Sequence, residues 1–209
     1  MVGKRHDCIR SHMASLAAAA AQHLNKRSGV NAPFSLAFLT DRTRIPNPEI
    51  ILRALPRGTA VVLRDYDAHN RVAIARRLKS ICTTRGLLLI IGADIDLARS
   101  VSADGIHLPA WFDHGGAPFD SLIVTASCHT GRDLDRAAQR GAHLAFLSPA
   151  FPTASHPGQA HLGIEEFKKI AAAAPLPVLA LGGVDVTNAA QLSATNVAGF
   201  AAIGAFSAG

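Results

Sequence analysis

The stretch "AVVLRDYDAHNRVAIARRLKSICTTRGLLLIIGA", residues 60–93, contains two apolar runs separated by a segment with helical periodicity. The runs at 60–65 and 87–93 are continuously apolar over most of their length, which is typical of parallel strands that are covered on both faces. The segment between them is amphipathic, with basic residues on the face that we expect to be solvated. Residues 60–93 therefore predict a strand–helix–strand unit.

The same alternation recurs along the whole chain after residue 33. Eight apolar runs are predicted as strands, at 35–40, 60–65, 87–93, 105–110, 122–127, 144–149, 177–183 and 200–206. One helix between them is predicted to start at Pro48, with Asn47 as its N-cap and Gly58 after its end. Eight strands in units of about 25 residues favour an α/β fold, a (β/α)8 TIM barrel, over the alternative of an open doubly wound sheet.

The two ends of the chain depart from this pattern. Residues 1–33 are predicted as an N-terminal helical extension to the barrel domain, residues 34–209, although the segment also resembles a weak signal peptide. The helix is predicted from about Ser11 to Arg27, with Leu16, Ala20 and Leu24 on one face. Only three residues of this sequence follow the last predicted strand, so we expect the eighth helix to be missing or truncated. We expect the N-terminal helix or a second subunit, as in a homodimer, to cover the outer faces of strands eight and one.

Composition excludes several classes of protein. Of the 209 residues 49% are hydrophobic, but no apolar run is long enough to span a bilayer. The formal charge of +6 is scattered and there is a single Trp, so nucleic acid is not expected as a partner. Three cysteines without a Cys-x-x-Cys spacing favour a reducing compartment over a disulfide framework or a zinc site, and a cytoplasmic location is the expectation.

Candidate site residues follow from the barrel itself, because barrel enzymes carry their sites at the carboxyl ends of the strands. Glycines 182, 183 and 204 follow strands seven and eight, where backbone N–H groups commonly bind phosphate. His129 follows strand five and is either a general acid/base or a loop histidine. Arg64 pairs with Asp41 or Asp65, or it meets an anionic ligand. His107 lies within an apolar strand, which favours a hydrogen-bonded core histidine.

Six short motifs in this order resemble the thiamine-phosphate synthase/TenI superfamily of barrels. They are "FLTD" (38–41), "VVLRD" (61–65), "ADGIHL" (103–108), "TASCHT" (125–130), "LSPAFPTAS" (147–155) and "PVLALGGV" (177–184). The loop "PAFPTAS" is the most specific of them. The resemblance implies a barrel that binds a phosphorylated thiazole-type small molecule.

The residues that the resemblance assigns to the thiazole phosphate are largely present. Thr153 and Ser155 match the two hydroxyls of the loop after strand six. Gly183, next to Gly182, matches the glycine after strand seven. Ile203 matches the family residue that contacts the phosphate after strand eight, whereas Gly204 stands where the family has serine. A glycine there keeps its backbone N–H as a donor.

The residues that the resemblance assigns to the pyrimidine diphosphate and magnesium are mostly absent. Arg64 matches and so does Ser127 after strand five, but Tyr66 and His156 stand at the positions of lysines. Ala93 and Phe112 stand at the positions of the two metal-binding aspartates, with Asp113 one residue away from the second. Without a metal and its charge partners, a diphosphate leaving group loses several kcal/mol of stabilisation.

The sequence therefore predicts no metal and no cofactor, with magnesium required only for synthase activity. This pattern favours the TenI branch, in which a histidine after strand five, here His129, moves a proton on a thiazole carboxylate phosphate without a metal. One alternative is a thiamine-phosphate synthase with altered metal ligands, which joins the pyrimidine diphosphate to the thiazole phosphate. A second alternative is a non-catalytic protein that binds a phosphorylated ligand.

Overall fold

The computed structural model describes residues 2–116, 118–153, 160–194 and 196–206. The strands are β1 Leu36–Leu39, β2 Ala60–Leu63, β3 Leu88–Gly92, β4 Gly105–Leu108, β5 Ile123–Cys128, β6 Leu144–Leu147, β7 Val178–Ala180 and β8 Val197–Ala202. All of them are parallel, each pairs with the next along the chain, and β8 pairs with β1 to close the barrel. The predicted (β/α)8 barrel is confirmed, and the open sheet is excluded.

The helices on the outside of the barrel are α1 Val2–Ser28, α2 Pro48–Ala54, α3 Arg71–Arg85, α4 Ile95–Ser100, α5 Gly131–Gln139 and α6 Gly163–Ala172. Short 3₁₀ helices at Ala189–Leu192 and Gly204–Phe206 precede and follow β8. The connection between β4 and β5 has no helix among its described residues. As predicted, α2 starts at Pro48, but the Asn47 side chain makes no capping hydrogen bond. The helix ends at Ala54, ahead of the predicted Gly58.

Buried apolar residues form two layers, one inside the barrel and one between the strands and the helices. Phe146, Ile90 and Leu179 belong to the inner layer. Phe38, Phe200 and Phe167 belong to the outer layer. Because both faces of each strand are buried, the strands are apolar along their whole length rather than alternating. This is why the continuous runs in the sequence predicted them well.

Helix α1 packs against the outside of β8 and also contacts β1 and α2. Its buried face consists of Ala14, Ala17, Ala21 and Leu24, each at most 1% exposed. The predicted face was wrong except for Leu24, because Leu16 is 42% exposed and Ala20 is only partly buried. Alanines at the contact let the helix lie close to the strand. The predicted N-cap was also wrong, since Ser11 lies inside the helix.

Strand β8 runs from Val197 to Ala202, so it begins and ends earlier than the predicted 200–206. The turn that follows it is a 3₁₀ helix. Gly199 lies where the pairing of β7 with β8 shifts register. A Cβ atom at Gly199 would lie 1.8 Å from the carbonyl oxygen of Ser35, so the close approach of β8 to the chain before β1 requires glycine.

Helices long and apolar enough to cross a bilayer are absent from the part of the chain that the structure describes.

Candidate functional site

Two groups of residues lie at the carboxyl ends of the strands. One group follows β6, β7, β8 and β1 and lines a cavity of about 280 Å³. The other group comes from β4, β5 and the residue after β2, and it lies around the imidazole of His107. The order of strands around the barrel places the two groups on opposite halves of this face, which we call the mouth of the barrel.

The cavity gathers five of the residues that the sequence predicted for phosphate. They are Thr153, Gly182, Gly183, Ile203 and Gly204. Gly182 and Gly183 have φ values of +89° and +66°, which L-residues with side chains rarely adopt. A Cβ atom on Gly183 would lie 2.3 Å from the carbonyl oxygen of Pro152, whereas one on Gly204 would meet nothing within 4 Å. Glycine is therefore required by the backbone at position 183 but not at 204.

Arg44 also lines this cavity, and sequence reasoning missed it. The loop after β1 holds it in place, because its backbone N–H donates to the Asp41 carbonyl at 3.1 Å and its Nε lies 3.6 Å from Asp41 Oδ2. Its position just after the end of β1 is the signal that could have found it. The cavity also contains Asp185, whose carboxylate accepts hydrogen bonds from the Thr187 backbone N–H and hydroxyl at 2.8 and 2.6 Å. The cavity is thus lined by one basic and one acidic side chain.

His107 lies at the centre of the other half and is 1% exposed. Its Nδ1 is 2.9 Å from Thr125 Oγ1 and its Nε2 is 2.8 Å from Ser127 Oγ, while its ring stacks on Phe146 at 5.1 Å between centroids. Burial, together with the nearby charge of Arg64, lowers the pKa of His107 from 6.5 to about 3. The prediction of a hydrogen-bonded core histidine is confirmed.

The hydrogen bonds around His107 have a defined direction. Thr125 donates its hydroxyl to the Ile106 carbonyl at 3.3 Å, so it accepts from His107 Nδ1. Nε2 of the neutral ring is then an acceptor, and Ser127 donates to it. The Ser127 hydroxyl has no second proton to give. Ser127, a predicted ligand residue, can therefore offer a ligand only a hydrogen-bond acceptor.

The lowered pKa of His107 predicts a loss of stability in acid. Between pH 6.5 and pH 3 the unfolded chain binds a proton at this imidazole and the folded chain does not. The stability linked to the neutral imidazole is fully present above pH 6.5. As the pH drops below 6.5, the free energy of unfolding decreases by about 1.4 kcal/mol per pH unit. Urea unfolding between pH 7 and pH 5 measures this slope. His107→Asn should reduce the slope, and an equal slope in both proteins would contradict the assignment.

His129 is exposed at the end of β5, with its ring held against the neighbouring strand. Its Nδ1 lies 2.8 Å from the Ser148 carbonyl, which can only accept, so Nδ1 carries the proton and Nε2 is the basic nitrogen. Its backbone N–H donates to Asp133 Oδ2 at 3.1 Å. Asp133 also closes a capping box with Thr130 at the start of α5. Hydrogen bonds to His129 and Thr130 hold the pKa of Asp133 below its usual value despite the opposing effect of burial.

Arg64 directly follows β2, and its charge acts on the imidazole of His107. The two carboxylates expected to pair with it are engaged elsewhere, since Asp41 binds Arg44 and Asp65 accepts from the Thr40 hydroxyl at 2.7 Å. The charge of Arg64 acts on the Tyr66 hydroxyl and opposes the rise that burial causes in its pKa. An anionic ligand for Arg64 stays a prediction.

The described residues do not fit the magnesium that the resemblance implies for synthase activity. Ala93 has φ +53°, and Asp94 caps α4 through the Leu97 N–H at 2.8 Å and pairs with Arg71 at 3.2 Å. Asp113 accepts from the Gly115 N–H at 3.0 Å. Within these described parts of the chain, no three His, Cys, Asp or Glu side chains converge to hold a metal ion.

Two predicted ligand residues, Ser155 and His156, lie outside the described residues. Cys82 and Cys128 are buried, and this burial raises the pKa of both thiols to about 12. Neither thiol suits a nucleophile, because the thiolate is the reactive form.

Comparison with known proteins identifies the family to which this barrel belongs. A sequence profile of thiamine monophosphate synthase matches residues 36–206, from the start of β1 to the turn after β8. The chain belongs to the thiamine monophosphate synthase family. Both halves of the mouth lie within the matched residues.

Relatives in this family come from distant organisms. The thiamine-phosphate synthase of Thermosynechococcus vestitus is 33% identical over 161 residues, which cover 72% of this chain and 46% of that protein. The thiamine-phosphate synthase of Pyrococcus horikoshii is 30% identical over 178 residues, which cover 81% of this chain and 85% of that protein. This chain thus spans about half the length of the cyanobacterial relative.

A solved member of the family has the same fold. The thiamine phosphate pyrophosphorylase from Pyrococcus furiosus is 28% identical, with a TM-score of 0.72 over 88% of this chain and 91% of that one. The names of these family members point to transfer chemistry rather than to the proton transfer that the sequence favoured.

Proposed function

We propose that the protein is an enzyme of thiamine biosynthesis that joins a pyrimidine diphosphate to a thiazole phosphate and releases pyrophosphate. The cavity at Gly183 carries this proposal, because a positive φ and the contact with Pro152 keep the backbone bare where an anion would bind. The names of the relatives support the synthase interpretation over the TenI-like one.

In this proposal the two halves of the mouth hold different substrates. The phosphate of the thiazole substrate binds in the cavity beside Arg44, Thr153 and the glycines after β7. The pyrimidine diphosphate lies over the half formed by β2 to β5, where Arg64 supplies a cation. Ser127 accepts a hydrogen bond there, which suits an amino group on the ligand.

A transfer assay combined with calorimetry tests this function. We expect thiamine phosphate and pyrophosphate to form only when both substrates are present. We also expect the affinity for the pyrimidine diphosphate to be the same with magnesium as with EDTA, because Asp94 is already engaged by Leu97 and Arg71. Binding that requires magnesium would contradict the inference that these carboxylates do not hold the metal. Absence of product at any magnesium concentration would contradict the transfer itself.

Proton transfer on a thiazole phosphate is the second candidate, and the tautomer of His129 favours it. With Nδ1 held by the Ser148 carbonyl, Nε2 is placed to accept a proton at the mouth. The phosphate anchor is the same in both reactions, and proton transfer needs no metal.

His129→Asn separates an acid/base role from a structural one. We expect thiazole-phosphate binding to survive, since the cavity lies after β7 and β8, and deuterium exchange on the thiazole substrate to fall about 100-fold or more. NMR follows the exchange. His23→Asn, at an exposed position on α1, is the matched control and should exchange like the parent protein. Equal rates in all three proteins would make His129 a structural residue.

A further inference from the structure

Trp111 is 65% exposed, more than any other large hydrophobic side chain among the described residues. It lies three residues after the end of β4, on the same face of the barrel as Arg64 and His129. Single exposed apolar side chains are common on protein surfaces and need no explanation. Trp111 differs because other aromatic rings hold it in place at the mouth.

Two rings contact the indole without covering it. The Tyr66 ring lies 5.3 Å from Trp111 at an interplanar angle of 82°, and the Phe112 ring lies at 6.1 Å and 90°. Edge-to-face contacts of this kind fix the orientation of a ring. Because the indole is still mostly exposed, it presents an oriented aromatic surface to solvent.

Three neighbouring residues, Arg64, Arg71 and Gly92, define the surroundings of Tyr66. The positive charges of Arg64 and Arg71 act on its hydroxyl, and the guanidinium of Arg71 lies 5.7 Å from its ring centroid. Arg71 is anchored in turn by Asp94 and by the Gly92 carbonyl. A Cβ atom on Gly92 would lie 2.9 Å from Tyr66 Cε1, so the missing side chain at position 92 makes room for the phenol ring. Burial raises the pKa of Tyr66, so the ring stays neutral at physiological pH.

These contacts connect the indole to the centre of the barrel. The charge of Arg64 acts on both His107 and the hydroxyl of Tyr66, and the ring of Tyr66 contacts Trp111. The aromatic pair therefore borders the half of the mouth opposite the glycine-lined cavity. A ligand whose phosphate lies in that cavity would leave this half for a second substrate.

We propose that Trp111 and Tyr66 form a subsite for the planar heteroaromatic ring of the second substrate, an aminopyrimidine, which stacks on the exposed indole. The subsite rests on the proposed function for the identity of that ring. Stacking on an oriented aromatic side chain contributes to binding through the face of the ring and needs neither phosphate nor metal. The subsite thus determines which ring is accepted, while Arg64 supplies a positive charge for the diphosphate of the same substrate.

The single Trp of the chain makes this subsite directly observable. The probes are the hydroxymethyl aminopyrimidine without phosphate, which offers only the ring, and inorganic pyrophosphate, which offers only the charge. We expect the pyrimidine to quench Trp111 fluorescence with saturation and pyrophosphate to leave it unchanged. Quenching by pyrophosphate alone, or no saturable effect of the pyrimidine, would overturn the proposal.

Calorimetry on variants tests the contact independently of fluorescence. Trp111→Ala should weaken pyrimidine binding about tenfold, and Trp111→Phe should restore most of it. Leu16→Ala, which shortens an exposed side chain on the outer wall, is the matched control and should bind like the parent protein. Equal affinity in Trp111→Ala would overturn the subsite. Ring binding that depends on Trp111 in a protein without transfer activity would contradict the proposed function and leave the subsite intact.

Discussion

Removal of residues 1–30 is expected to leave a protein that aggregates or melts at a much lower temperature. Helix α1 covers β8 and also contacts β1 and α2, and its buried residues belong to the same apolar core as Phe38 and Phe200. Loss of the helix would expose this part of the core to water, which soluble proteins avoid. Size-exclusion chromatography and thermal unfolding would measure the effect. A truncated protein that stays monomeric and equally stable would show that the segment is dispensable.

Two point variants on neighbouring positions refine this test. Ala17 is fully buried, so Ala17→Asp places an unpaired carboxylate between α1 and the barrel and should cost about 3 kcal/mol or more of unfolding free energy. Leu16→Asp makes the same charge on the exposed side of the helix and should cost less than about 1 kcal/mol. A larger cost at Leu16 than at Ala17 would mean that α1 packs on its other face.

Gly183→Ala is expected to lower the affinity for a thiazole phosphate about 100-fold or more. The new Cβ would lie 2.3 Å from the Pro152 carbonyl oxygen, so either the glycine turn or the loop after β6 must move, and both line the cavity. The positive φ adds a backbone cost of about 1 kcal/mol. Calorimetry with the thiazole phosphate measures the affinity, and thermal unfolding shows whether the fold survives.

Gly58→Ala is the matched control for this variant. Gly58 has a similar φ of +79°, but a Cβ atom there would meet nothing within 4 Å, and the residue lies before β2, away from the mouth. It should lose stability to a similar backbone cost and bind the phosphate ligand normally. If Gly183→Ala binds as tightly as Gly58→Ala, the phosphate does not lie against this turn.

The sequence predicted the barrel well because its strands are buried on both faces and are separated by helices. It predicted the contacts of α1 poorly for a related reason. In an alanine-rich helix several faces are apolar enough to pack, and only the tertiary contact decides that Ala17 and Ala21 are buried while Leu16 is exposed. Strand β8 was placed three residues late because the apolar run continues into the 3₁₀ turn after Ala202.

In the candidate site, too, local features of the sequence could be predicted, whereas contacts between residues distant in the chain could not. Strand ends and glycines are visible in the sequence, so five of the residues that line the cavity could be predicted, whereas Arg44 and Asp185 were missed. The direction of the hydrogen bonds at His107 could not, because it depends on Thr125 bonding to the Ile106 carbonyl across the strands. The pairing of Tyr66 with Trp111 joins two loops whose relative position only the closed barrel defines.

The position of α1 also has a consequence for the order in which the protein folds. The helix at residues 2–28 packs mainly against the strand at residues 197–202, so its principal partner is synthesised long after the helix itself. Contacts between distant parts of a chain are slow to form, because a long loop must close before they contribute. During synthesis, the alanine face of α1 has no β8 to cover it. Closure of the barrel by β8 and docking of α1 should therefore be coupled late steps, and a ribosome-bound chain that lacks β8 should leave α1 accessible to protease.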